Sequence, residues 1–283
     1  MLYNIVAKNS KKGGFYMPRS EYRQKYILSI AKENGFVSIS DAAKHLDVSI
    51  ETVRRDINKL CESNALKKVR GGAAPIKLSI RKDADYTLRI RHNQQEKLTI
   101  GMEAAKLIRD GSVVALDCGV SIQSVAHCVS GVQNVTFVTN AIPTASILLD
   151  KLASGEISGH VIMIGGEMDA KNKFSKGTPA TDLIDKYYFD ISFISCTALS
   201  SKRVSLCSLD ECSYSKHLIE RSAVSVLIAE SDKVGKNSVC SFAKTTDFDR
   251  IITDDKIPIP SEFEKELKGT KTELTIVKCA SDK

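Results

Sequence analysis

Residues 48–73 read VSIETVRRDINKLCESNALKKVRGGA. Val53, Ile57 and Leu60 recur at spacings of 4 and 3, so they share one face of a helix. Ser49 stands just before that helix, where a hydroxyl caps it by accepting from a free backbone amide. Glu51, Thr52, Arg55 and Asn58 then fall on other faces, with Arg54 on a flank. A solvated surface helix with a glycine stop would satisfy that much. The two adjacent arginines and the basic segment ending in Gly71-Gly72 point further, to a helix that enters a DNA groove and a wing that follows it over the phosphates.

The upstream sequence supports a helix-turn-helix. In RSEYRQKYILSIAKENG, Tyr22, Tyr26, Ile27 and Ile30 recur at helical spacing and Gly35 follows as a stop. In SISDAAKHLDVS, Ser38 lies three residues before Asp41, a capping-box spacing, and Ala42, Ala43 and Leu46 define a short helix. Asp47-Val48 forms the tight turn into the next helix. Two short helices joined this way place the second one in the major groove. The exposed side chains are those that read duplexes: Arg bridges guanine O6 and N7, Asn pairs with adenine, and Ser or Thr reaches a base or a phosphate. The expected DNA contacts are Ser49, Thr52, Arg54, Arg55 and Asn58 from the helix. Lys67, Lys68 and Arg70 join them from the wing, where Gly71 and Gly72 allow a close approach or a positive φ.

Charge is distributed accordingly. Residues 1–92 hold 19 Lys and Arg against 9 Asp and Glu, whereas residues 93–283 hold 22 against 25. The net +7 therefore belongs to the N-terminal third, which predicts a polyanionic partner for that third alone, here a double-stranded DNA operator. No apolar run is long enough for a membrane span or a secretory signal, so the sequence predicts a cytoplasmic protein with no membrane partner. The eight cysteines are scattered without a Cys-x-x-Cys pair. They are expected as reduced thiols, with no structural metal. Residues 1–18 are expected as a disordered extension, in which residues 1–16 are either an upstream start or a remnant of expression. The DNA-binding domain is expected over 19–76, a linker over 77–95 and a second domain over 96–283.

That second domain alternates buried strands with helices. KLTIGMEAAKLIRDG is an amphipathic helix. SVVAL, VTFVTNA, HVIMIGG, FDISFIS, AVSVLIA and RIITD are short apolar runs of strand type. The pattern predicts an α/β domain with a mostly parallel sheet. In such sheets ligands sit outside the carboxyl ends of strands, which here carry Asp117 to Ser121, Thr139-Asn140 and Gly165-Gly166. Neither a dinucleotide-type Gly-x-Gly-x-x-Gly nor a Gly-Lys-Ser/Thr phosphate loop is present, so no cofactor is expected.

The opening stretch closely resembles the winged helix-turn-helix signature of DeoR-type bacterial transcriptional repressors. The resemblance runs from about Arg23 to Ala73. It rests on Val-Ser before the recognition helix, Thr-apolar-Arg-Arg-Asp-apolar within it and Gly-Gly-Ala at the end of the wing. From roughly Tyr86 to Asp254 the chain also resembles the family's C-terminal sensor domain, which is similar in fold to ribose-5-phosphate isomerase and typically binds phosphorylated sugars. The residues that carry this are Glu96-Lys97, Asp117-x-Gly119, Thr139-Asn140, Gly165-Gly166, Glu211 followed by Lys216, Ser231-x-Lys233-x-Gly235 and Ile251-Ile252-Thr253-Asp254. The resemblance implies a repressor of sugar or related carbon-metabolism genes. It places a phosphate at the Gly119 loop, with further contacts from Glu211, Lys216 and Lys233. Asp117, Ser121, Thr139, Asn140, Gly165 and Gly166 complete the expected effector site.

Three positions depart from the family's pattern. Val120-Ser121-Ile122 leaves one hydroxyl where several are usual. The turn SCTALSSKRVSL has no glycine, and Glu230 stands where Asp is typical. An enzyme of the sugar-phosphate isomerase type is the alternative, with Glu211, Lys216 and Lys233 as an acid–base set. It gives the DNA-reading module no purpose. Repressors of this shape pair across a palindrome, so a homo-oligomer, dimer or tetramer, is expected.

Overall fold

The computed structural model describes residues 19–34, 37–63, 65–69, 71–75 and 86–279. The N-terminal extension, Gly35, Arg70 and the first part of the expected linker lie outside the described residues. The chain divides into two compact units between Ser79 and Ile80.

The first unit contains α1 (Arg19–Asn34), β1 (Val37–Ser38), α2 (Ile39–Leu46), α3 (Ile50–Glu62), β2 (Leu66–Val69) and β3 (Gly72–Pro75). Ser38 and Ser49 cap α2 and α3 by accepting from the amides of Asp41 and Thr52. Between the two helices Asp47 adopts the left-handed conformation, φ 51°, which a short polar side chain tolerates. Ile27, Ala31, Leu46, Val53, Ile57 and Leu60 form the core with Leu66 and Ala73 from the strands. The strands make an antiparallel sheet in the order β1-β3-β2, with Leu66 opposite Pro75 and Val69 opposite Gly72. This is a helix-turn-helix followed by a wing. Gly71, at the tip between β2 and β3, has φ +82° and so occupies the left-handed region.

The second unit opens with α4 (Tyr86–Arg91) and α5 (Gln94–Ala105). It continues through β4 (Val113–Leu116), α6 (Val120–Cys128), β5 (Val135–Thr139), α7 (Ile142–Ser154), β6 (Gly159–Met163), β7 (Glu167–Asp169) and β8 (Phe174–Lys176). Then come α8 (Thr178–Ile184), β9 (Phe189–Ser195), β10 (Ala198–Leu199), β11 (Arg203–Leu206), α9 (Leu209–Glu220), β12 (Ser222–Ile228), β13 (Cys240–Lys244), β14 (Arg250–Asp254), α10 (Ser261–Leu267) and β15 (Glu273–Val277). Seven strands form a sheet in the order β15-β14-β12-β9-β4-β5-β6, every pair parallel.

Alternation along the central strands feeds two cores, one on each face. Val114, Leu116, Phe137, Phe193, Val226 and Ile228 join one cluster. Their neighbours Ala115, Val138, Ile194 and Leu227 join the other. The first strand of this unit, β4, sits inside the sheet. The chain runs outward from it through β5 and β6, then returns to build β9 on its other side. Strand order reverses between β4 and β9, and a crevice opens where connections leave in opposite directions.

Candidate functional site

In the first unit α3 turns Val53, Asp56, Ile57 and Leu60 inward. Arg54 and Arg55 are exposed, and each pairs with Glu51, at 3.1 and 3.9 Å. Exposed pairs of this kind hold little energy and give way readily to a stronger anion. Asn58 is half-buried, and Lys68 on β2 is exposed. The hydroxyls of Ser49 and Thr52 lie 2.8 Å apart at the helix start, so both serve the cap. The aspartate of the Arg-Arg-Asp run has another task. Asp56 is buried and accepts from Arg23 Nε at 2.6 Å and Nη2 at 3.3 Å, which ties α3 to α1. A charged residue one position from two exposed arginines looks solvent-facing in the sequence. Its place between Val53 and Ile57 on the apolar stripe was the signal that it is not.

In the second unit a cavity of about 510 Å³ opens at the crevice. The loop after β4 contributes Cys118 to Ser121, the end of β9 contributes Ser195 to Thr197, and the segment after β12 contributes Glu230, Asp232 and Lys233. Glu211 from α9 and Asn172 from the β7–β8 connection line it as well. Its remaining wall is α4 and the start of α5, through Tyr86, Arg89, His92 and Lys97. Gly119 is required at the floor. Its φ is +142°, and a Cβ there would lie 2.5 Å from Ser195 Oγ. Val120 and Ser121 open α6, and by position their amides have no intrahelical acceptor.

The charged centre of the cavity is Glu230. Its carboxylate is 2% exposed and lies 2.5 Å from Lys233 Nζ and 3.3 Å from Lys97 Nζ. Ser121 Oγ donates to it at 3.0 Å. Burial alone would raise its pKa, but the two ammonium groups outweigh that and hold it at about 2. Burial pushes the Lys97 pKa down, opposed by Glu230. Lys97 Nζ also donates to the carbonyls of Arg89 and His92, closing the turn between α4 and α5. Below the floor, Asp117 is fully buried and accepts from Ser215 Oγ and the Cys118 amide. Burial lifts its pKa to about 6 against those two bonds. Around the rim, Arg89 Nη2 donates to Asn172 Oδ1 at 2.6 Å, and His92 Nε2 lies 3.2 Å from Asp232.

Comparison with known proteins agrees with both units. The family described as "DeoR C terminal sensor domain" matches residues 92–255. The "DeoR-like helix-turn-helix domain" matches residues 23–78. The chain belongs to the DeoR family. The HTH-type transcriptional repressor GlcR of Bacillus subtilis is 28% identical over 234 residues, 83% of this chain and 88% of that one. The glycerol-3-phosphate regulon repressor of Escherichia coli is 28% identical over 239 residues, 84% and 92% respectively. A solved D-ribose-5-phosphate isomerase in complex with phospho-erythronic acid is 11% identical, with a TM-score of 0.37 over 50% of this chain and 54% of that one. That likeness is too distant to speak for function. As a DeoR member the chain is a DNA-binding transcriptional regulator and not an enzyme. Among the described residues no helix is long and apolar enough to cross a membrane, and no cluster of His, Cys, Asp and Glu could hold a metal ion.

The structure sorts the residues expected of a DeoR sensor. Gly119, Ser121, Glu211 and Lys233 meet at the cavity. Lys216 does not. It is exposed on α9 and pairs with Glu220 at 3.6 Å. Five residues separate it from Glu211, about 140° around a helix, so the two cannot face one ligand. Thr139 and Asn140 also lie outside the lining. Thr139 Oγ1 accepts from the Ala141 amide, and Asn140 Nδ2 donates to the Ser175 carbonyl. Gly165 and Gly166 are likewise away from it, and a Cβ on Gly166 would meet the Lys176 carbonyl at 2.7 Å. Asp117 supports the floor from below. The segment 86–95, expected as linker, is instead helical wall. With it came lining residues the sequence reading had not placed in the site, Tyr86, Arg89 and His92 among them, and Lys97 joins them from α5.

Proposed function

We propose that this regulator is a repressor of sugar or related carbon-metabolism genes and that its cavity takes a phosphorylated small molecule, a phosphorylated sugar above all. The observation that carries this is the meeting of the α6 amides with Lys97 and Lys233 at the strand-order reversal. A helix N-terminus offers a phosphate its amides and the positive end of a dipole. Ammonium groups add charge-assisted bonds. Glu211, Thr197 and Asn172, which also line the cavity, give the hydroxyls of a sugar polar partners. The name of the E. coli relative, a repressor of the glycerol-3-phosphate regulon, points to the same ligand class.

In this reading α3 enters the major groove with Arg54, Arg55 and Asn58 toward the bases, while Lys67, Lys68 and Arg70 of the wing follow the phosphates. A homo-oligomer places two such units on a palindrome, and the protein works where the DNA is, in the cytoplasm. The test is a thermal-shift series with phosphorylated sugars and their unphosphorylated counterparts, paired with anisotropy on promoter DNA. A phosphorylated sugar should raise Tm and change DNA affinity, while its unphosphorylated counterpart does neither, because only a ligand of the folded state stabilises it. Equal responses to both members of each pair would remove the phosphate from the reading.

A further inference from the structure

The groups best suited to hold an anion in the cavity are already holding one. Lys97 has three N–H donors. Two go to the carbonyls of Arg89 and His92, and the third side of the ammonium faces Glu230 Oε1 at 3.3 Å. Lys233 Nζ lies 2.5 Å from Glu230 Oε2 and donates to Ser121 Oγ at 3.3 Å. Ser121 carries the hydroxyl of the Val120-Ser121-Ile122 turn, and its proton points to Glu230 Oε1. One buried carboxylate thus engages both lysines and the hydroxyl beside the open N-terminus of α6.

We propose that the Glu230 carboxylate is an internal competitor for the ligand's anionic group, so that it sets how strongly the cavity holds a phosphate monoester. The proposal rests on the reading of the cavity as a phosphate site. A phosphate arriving at the Val120 and Ser121 amides gains Lys233 or Lys97 only as those ammonium groups turn from Glu230. It also settles beside a fixed negative charge. That repulsion scales with the charge of the ligand, so it disfavours a dianion more than a monoanion and leaves a neutral sugar untouched. The low pKa of Glu230 keeps this charge in place at every pH near neutral.

The opposite role is the natural rival. Glu230 could position the two lysines for the ligand, in which case its removal would weaken binding. The two roles predict opposite signs. Calorimetric titration with a sugar phosphate and with inorganic phosphate should show Glu230→Gln binding both more tightly than wild type, by about tenfold or more, since one charge at this range in a protein is worth at least that factor. An unphosphorylated sugar should show no comparable gain. Inorganic phosphate should also raise the Tm of Glu230→Gln more than that of wild type, because the anion replaces the missing counter-charge.

Leaving the buried Lys97 and the partly buried Lys233 with one fewer partner could impair folding, so the same comparison is made in a second background. Lys233→Gln and the charge-balanced pair Lys233→Gln with Glu230→Gln should differ in the same sense, the double variant binding phosphate more tightly. Equal or weaker phosphate binding on loss of Glu230, in either background, overturns the proposal while leaving the phosphate site intact. Absence of phosphate binding from wild type and all variants overturns the site reading and this proposal together.

Discussion

Arg55 and Asp117 show what a single side chain does in each unit. Arg55 is 77% exposed and lies 3.9 Å from the exposed Glu51 carboxylate, so its guanidinium is available to a base edge at little cost. Arg55→Ala should weaken operator binding by about 1–3 kcal/mol while changing binding to random DNA much less. Equal loss on both DNAs, read by anisotropy, would make it a phosphate contact. Asp117 is held with a pKa of about 6, above its ordinary 3.8, because burial disfavours its charge. Between those values the folded state keeps a proton that the unfolded chain has released. Its contribution is therefore present below pH 4 and lost as pH rises to 6, on the order of 2–3 kcal/mol. Asp117→Asn removes the charge, keeps an oxygen acceptor for the Cys118 amide and turns an N–H toward Ser215 Oγ, which can accept it. It should flatten stability between pH 4.5 and 6.5 in urea unfolding and raise it at pH 7. An unchanged slope in the variant would move the titration to another group.

At the scale of elements, the wing depends on one backbone conformation. Gly71 joins β2 to β3 with φ +82°, where nothing crowds a side chain but the backbone itself resists one. Gly71→Val should destabilise the hairpin by about 1–2 kcal/mol and weaken DNA binding, whereas Asn, which tolerates this region, restores most of it. Circular dichroism melts alongside anisotropy separate the two effects, and a valine variant with unchanged DNA affinity would show that the wing does not touch the duplex. The same stretch explains why this unit was legible. Its caps, apolar spacing and turn glycine are local signals, and each agrees with the others. The central strands of the second unit were legible for a similar reason, since residues 191–195 of β9, 225–228 of β12 and 251–254 of β14 are continuous stretches buried on both faces. The edge strand β15, Glu273–Val277, carries Glu273 and Thr275 and is half-exposed, so no continuous apolar run announced it. The six-residue α4 is too short and too charged to stand out from a linker. Thr139 and Asn140 resembled ligand contacts because they end a strand, yet Thr139 Oγ1 is bonded to the Ala141 amide and Asn140 Nδ2 to the Ser175 carbonyl, outside the cavity lining. Lys97 lies on the buried side of α5, where the carboxylate nearest its charge, Glu230, is more than a hundred residues away in sequence.

For the whole molecule, the division between Ser79 and Ile80 separates the two tasks. The first unit has its own core of Ile27, Val53, Ile57 and Leu66, capped helices and a three-stranded antiparallel sheet, so it has what a small domain needs to fold alone. It also carries the excess positive charge. Residues 17–79 expressed alone should therefore fold and bind DNA, with a steep salt dependence from phosphate contacts. One winged helix reads one half-site, while a paired molecule holds two and gains the effective concentration that linkage supplies. The fragment should bind promoter DNA at least tenfold more weakly than the full chain at the same salt, and residues 80–283 should carry the self-association seen by analytical ultracentrifugation. A fragment as tight as the full chain, or one that dimerises by itself, would place the pairing surface in the DNA-reading unit instead.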